Sequence, residues 1–93
     1  MPGTCTAIGE LDLASASLFH DYLFDAIDNS ADEIVIVDCS DVTFMDTAGY
    51  QVLVEATEYA TRHGHIVEIR NMSPQCAMVI RVCDSANELH LED

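Results

Sequence analysis

Three carboxylates and a hydroxyl crowd the middle of this chain: Asp38, Asp41, Asp46 and Thr47, within DCSDVTFMDTAGY (38–50). Carboxylates at the C-terminal ends of strands can hold Mg²⁺ for phosphoryl transfer. A hydroxyl between an Asp and the small pair Ala48-Gly49 can instead cap a helix, or can itself accept a phosphate. The surrounding residues weigh these chemistries against each other.

Asp46-Thr47 matches part of the DxDxT order of phosphatases. Such chemistry usually needs a cation to neutralise the transferring phosphoryl group. The chain has no Lys, and its three Arg (Arg62, Arg70, Arg81) lie far from this segment in sequence. The carboxylates are therefore read as loop residues and a helix cap. No enzyme, no cofactor and no metal site is expected. His20, His63, His65 and His90 lack ligand-like spacing, and no CxxC or CxH pattern joins Cys5, Cys39, Cys76 and Cys83. Each Cys sits in an apolar stretch and reads as a buried free thiol of a reducing compartment.

The elements that must hold Thr47 follow from periodicity. Thr4–Gly9 reads as a short strand, closed by GELD (9–12). Helical spacing from Ala14 places Leu18 and Phe19, Tyr22 and Leu23, Ala26 and Ile27 on one stripe, with Asp12 as its cap. EIVIVDC (33–39) is a continuous β-branched run, the pattern of a strand buried on both faces. A second helix over 49–64 turns Leu53, Ala56 and Ala60 inward, with Thr47 or Asp46 as its N-cap. His63 falls in its last turn and Gly64 fits the C′ position. HIVEIR (65–70) is a third strand. Ser73-Pro74 caps and opens a third helix carrying Cys76, Val79, Ile80 and Cys83, and ELHL (88–91) is a last short strand. The order β-α-β-α-β-α-β implies an α/β fold with a small mixed or parallel sheet of about four strands and helices mainly on one face. In such sheets the C-terminal ends of the strands carry the functional loops, which is where Thr47 stands.

Ninety-three residues, 49% of them apolar, make one domain, 1–93. Seventeen Asp and Glu against three Arg give a net charge of −14, which repels nucleic acid and anionic membrane surfaces. The apolar runs are too short to span a bilayer. The start, MPGTCTAIGELD, lacks the regions of a signal peptide, so the cytoplasm is the expected compartment.

DCSDVTFMDTAGY, followed by a helix ending RHG, resembles the signature of STAS domains. It looks most like that of the bacterial anti-sigma factor antagonists. GELD at 9–12 and NMSPQCAMVIRVC (71–83) match the family's other recognisable stretches. The resemblance implies a phospho-acceptor directly after the core Asp, which is Thr47. It also implies a partner, an anti-sigma factor that is itself a serine/threonine kinase. The bare hydroxyl binds that kinase and the phosphorylated form lets go. Asp12, Asp46, Ala48 and Gly49 would complete the docking surface. An alternative within the family is a STAS scaffold or ligand-sensing module that is never phosphorylated.

Three departures from the pattern stand out. Ala48 replaces a frequent second hydroxyl. Asp84-Ser85 stands where the family has a glycine. Only eight residues precede GELD, so the family's opening strand is expected to be missing. That absence would expose a sheet edge, and a homodimer could form by pairing there.

Overall fold

The structure is a computed structural model and describes residues 3–92. Its elements run β1 (Gly3–Leu11), α1 (Ala16–Asp28), β2 (Ile34–Met45), α2 (Thr47–Arg62), β3 (Ile66–Arg70), α3 (Pro74–Cys83) and β4 (His90–Glu92). All neighbouring strands are parallel, in the order β1-β2-β3-β4. Parallel neighbours need crossovers, and the three helices provide them.

One parity of the strands faces the helices. Cys5, Ala7, Val35, Val37, Val67 and Ile69 join Leu23 and Ile27 of α1, Leu53 of α2 and Ile80 of α3 in a single core. Fully burying each large aliphatic contributes about 1.5–3 kcal/mol. The other parity puts Thr6, Asp38 and Arg70 in register across three strands, a polar face on which Arg70 pairs with Glu68 at 2.7 Å.

β1 and β2 are longer than their periodicity implies, and β1 runs on past Gly9 to Leu11. β2 does not stop at Cys39 but continues to Met45. The register slips between Thr6 and Ile8 and again between Gly9 and Glu10, so β2 carries extra residues against β1. Such bulges break the alternation that marks a strand in sequence. Asp12 does not cap α1. The N-cap is Ser15, whose side chain makes no cap bond. Asp12 Oδ1 instead accepts the Ser15 N–H at 3.0 Å, and the Asp12 N–H donates to Ser15 Oγ at 3.0 Å, closing the turn that links β1 to α1. Ser73 and Pro74 behave as expected: Ser73 Oγ accepts the Cys76 N–H at 3.2 Å, and Pro74 opens α3. His63 is the C-cap of α2, and Gly64 follows at φ +82°.

The loop between α3 and β4 is held by a buried carboxylate. Asp84 accepts the Tyr50 hydroxyl at 2.8 Å and the N–H groups of Glu88 and Leu89 at 3.1 and 3.3 Å. The left-handed position in this loop falls to Asn87, at φ 54°, a residue that tolerates it. Asp84→Ala would strand three donors in a site that is 8% exposed. A loss of about 3 kcal/mol is expected in denaturant unfolding, larger than for Tyr50→Phe. Burial and Asp84 both push the Tyr50 phenol above its usual range. The folded state therefore holds that proton more tightly than the unfolded chain. Its contribution is complete below about pH 10 and is lost as pH rises beyond that; Tyr50→Phe should flatten this alkaline fall.

Seventeen carboxylates against three Arg also set a salt response. Arg70–Glu68 is the one Arg–carboxylate pair among the described residues. Raising the salt from about 0.01 M to about 1 M shortens the screening length from about 30 Å to about 3 Å. Self-repulsion falls, so Tm should climb, by about 4–8 °C for each kcal/mol relieved. A Tm that stays flat or falls in a KCl series would mean that the repulsion is not felt by the fold.

Candidate functional site

The site is built where three elements meet at the C-terminal ends of β1 and β2. β2 ends at Met45, and Asp46 takes an extended conformation (φ −120°, ψ −172°) that turns the chain into α2. Of the two candidate caps, Asp46 is the one. Its Oδ1 accepts the Ala48 N–H at 2.9 Å and the Gly49 N–H at 3.2 Å. Its Oδ2 reaches across to the Leu13 N–H at 3.3 Å. Asp46 N–H in turn donates to the Leu11 carbonyl at 3.2 Å. The GELD segment, through Leu11, and the residue after it, Leu13, are thereby tied to the start of α2 by Asp46, which places the Asp12 turn beside the α2 N-terminus.

Thr47 is the first helical residue, and it is exposed. Because Asp46 does the capping, the Thr47 hydroxyl is not needed for it. Ala48 is half-buried. Gly49 is buried against Leu11, close enough that a methyl group there would overlap the Leu11 carbonyl. The cap also changes the electrostatic expectation. A phosphate on Thr47 would find the Ala48 and Gly49 N–H groups already held by a carboxylate. It would meet that negative charge rather than an open pair of donors.

α3 completes the site, and the sequence reading missed its contribution. Asp46 and Thr47 share a cleft of about 340 Å³ with Met78, Val79, Val82 and Cys83. Met78 and Val82 are 63% and 77% exposed, and among the described residues no cation lines the cleft. The signal was an i, i+4 apolar pair off the buried stripe of Cys76 and Ile80.

The other two carboxylates, Asp38 and Asp41, do not line this cleft. Asp38 accepts the Ser40 hydroxyl at 2.7 Å, its N–H at 2.9 Å, and the Asn71 amide at 3.1 Å. These bonds, led by the Ser40 hydroxyl, hold its carboxyl below the usual range. Asp41 is exposed. Among the described residues no group of His, Cys, Asp and Glu is arranged to hold a metal ion, and no helix is long and apolar enough to cross a membrane.

All four cysteines are free, and Cys83 alone is half-exposed. Burial pushes the Cys5 thiol up to about 11. The neighbouring Cys76 thiol and burial raise Cys39, while Cys39 lowers Cys76 against the opposing push of burial.

The family model for the STAS domain matches residues 3–93. No curated protein sequence matches the chain significantly. Among solved structures, the anti-sigma factor antagonist SpoIIAA in its unphosphorylated form superposes with a TM-score of 0.73 at 18% identity, covering 100% of this chain and 83% of that one. A putative anti-sigma factor antagonist from Thermotoga maritima gives 0.77 at 17%, over 97% and 79%. The STAS domain of a SulP transporter from Vibrio cholerae gives 0.67 at 20%, over 91% and 65%. At these identities the likeness is one of fold.

Proposed function

The chain belongs to the STAS domain family, and from that premise we propose that it is an anti-sigma factor antagonist. It acts as a binding module in the cytoplasm, and its hold on an anti-sigma factor kinase is set by phosphorylation of Thr47. The observation that carries this reading is the exposed Thr47 hydroxyl, released from capping by Asp46, at the rim of an apolar cleft. Asp12, Asp46, Ala48 and Gly49 shape the docking surface, and Met78 and Val82 extend it.

The partner supplies ATP. The Thr47 oxygen attacks the γ-phosphorus, the bond to ADP breaks, and the hydroxyl proton is lost. The product carries about −1.5 to −2 added charges at neutral pH. Under a packed partner that charge sits beside Asp46, with the nearest donors occupied and no cation lining the cleft. The bound state is penalised while the fold is left alone, so the switch is local.

The test is to incubate the chain with the kinase of its host and ATP, then map the product by mass spectrometry. One phosphate at Thr47, absent in Thr47→Ala, is expected. No phosphate, or phosphate elsewhere, sinks the proposal. The match to the SulP transporter STAS domain favours a second reading, in which the chain is a scaffold and Thr47 is merely the first residue of α2. Binding that is indifferent to the charge at Thr47 would select it.

A further inference from the structure

β1 is the outer strand on one side of the sheet, and a groove of about 350 Å³ runs between its outer edge and α1. Two hydrogen bonds show which backbone groups face that groove. The Thr6 N–H donates to Tyr22 Oη at 3.2 Å, and the Glu10 carbonyl accepts from Ser15 Oγ at 2.7 Å. Alternate residues of a strand direct their backbone groups to the same side, so the amide and carbonyl of Ile8, between them, face the groove too. The side chains around it are apolar and open. Ile8 is 71% and Leu18 77% exposed, Tyr22 is about half-exposed, and Phe19 and Leu11 lie at the base.

We propose that this groove takes an extended segment of a partner protein as a fifth strand, one in which aliphatic and basic residues alternate. A strand edge walled by a helix is the geometry of strand addition, where backbone bonds hold the guest and every second side chain is read by the wall. Leu18 and Tyr22, on the helix side, read the aliphatic set, and Ile8 shares the opposite face of β1 with Thr6 and Glu10. The other set points toward acid. Among the described residues Glu10 is the one charged residue lining the groove, and Asp21 and Asp25 follow Leu18 and Tyr22 by three residues on α1, so they lie on the adjacent ridge. The three Arg sit on α2, β3 and α3, away from this edge. Charge therefore selects a basic guest. It also selects against a second copy, whose β1 offers Glu10 and no cation and whose body brings another −14. The guest must displace Tyr22 Oη from Thr6, which makes Tyr22 a gate on the edge. Thr47 plays no part, so this surface stands or falls by itself.

The experiment is an NMR titration of the ¹⁵N-labelled full chain with a synthetic octapeptide alternating Lys and Val, and with its Glu–Val counterpart. Saturable shifts at the Thr6, Ile8 and Glu10 amides are expected with the first peptide and not with the second. Ile8→Ser, at an exposed position that leaves the spectrum elsewhere intact, should weaken binding about tenfold. Tyr22→Phe should tighten it by freeing the Thr6 N–H. Absence of saturable shifts at those amides, or an equal response to the Glu–Val peptide, overturns the proposal. So does sedimentation of the free chain as a dimer with the Ile8 amide protected from exchange, which would assign the edge to a second copy.

Discussion

Thr47→Asp is expected to weaken binding of the proposed partner, an anti-sigma factor kinase, by about a hundredfold or more. The estimate rests on desolvation. Covering an added carboxylate without a matching cation costs about 3 kcal/mol. The local environment offers little to offset that. The Asp46 carboxylate is the next residue and already takes the Ala48 and Gly49 N–H groups. Met78 and Val82 present apolar surface. The fold should not suffer, because position 47 is exposed and lies in the first turn of α2, where the helix dipole favours an acid. Calorimetric titration beside a melting curve separates the two effects: affinity falls while Tm holds. Thr47→Ala should keep the affinity and refuse phosphate. Unchanged affinity in Thr47→Asp would remove the charge argument, and with it the switch.

Much of this arrangement was legible where period and capping chemistry agree. The run IVIVDC, the stripe Leu53, Ala56 and Ala60, and Ser73-Pro74 each name an element by themselves. The small pair Ala48-Gly49 and the position after a buried strand leave the Thr47 hydroxyl little to cover it, and the structure has it exposed. Other features depend on contacts that no local pattern encodes. The end of β2 was hidden because its bulges against β1 break the alternation after Cys39. Asp12 and Asp46 are equally good caps by residue type. Only the extended backbone at Asp46 and the Ser15 hydroxyl near Asp12 decide which of them caps. The Asp84 carboxylate gathers a hydroxyl from a residue 34 positions away, so its role cannot be read from its neighbours. The contribution of α3 to the Thr47 cleft is likewise tertiary.

Gly49→Ala is expected to destabilise the fold by about 3 kcal/mol, the reverse of what helix propensity says. In an exposed helix interior, Ala is better than Gly by about 1 kcal/mol. Gly49 is the third residue of α2, and its φ is not positive, so the backbone itself would accept a side chain. The obstacle is Leu11. A methyl at position 49 would overlap the Leu11 carbonyl oxygen and lie 2.9 Å from Leu11 Cβ. Leu11 has little room to yield. Its carbonyl holds the Asp46 N–H, its side chain is buried in the core, and it ends β1 in register with Met45. Relief must come from α2 lifting at its first turn, which pulls Asp46 off the Leu13 N–H and moves Thr47 relative to Met78 and Val82. Denaturant unfolding should show the midpoint falling with an unchanged slope, the mark of lost stability rather than an altered unfolded state. Partner binding, measured well below that midpoint, should fall as well, because the surface around Thr47 has shifted. A variant as stable as the parent would show that β1 and α2 do not press together at this crossing, and the positioning of Thr47 would need another cause.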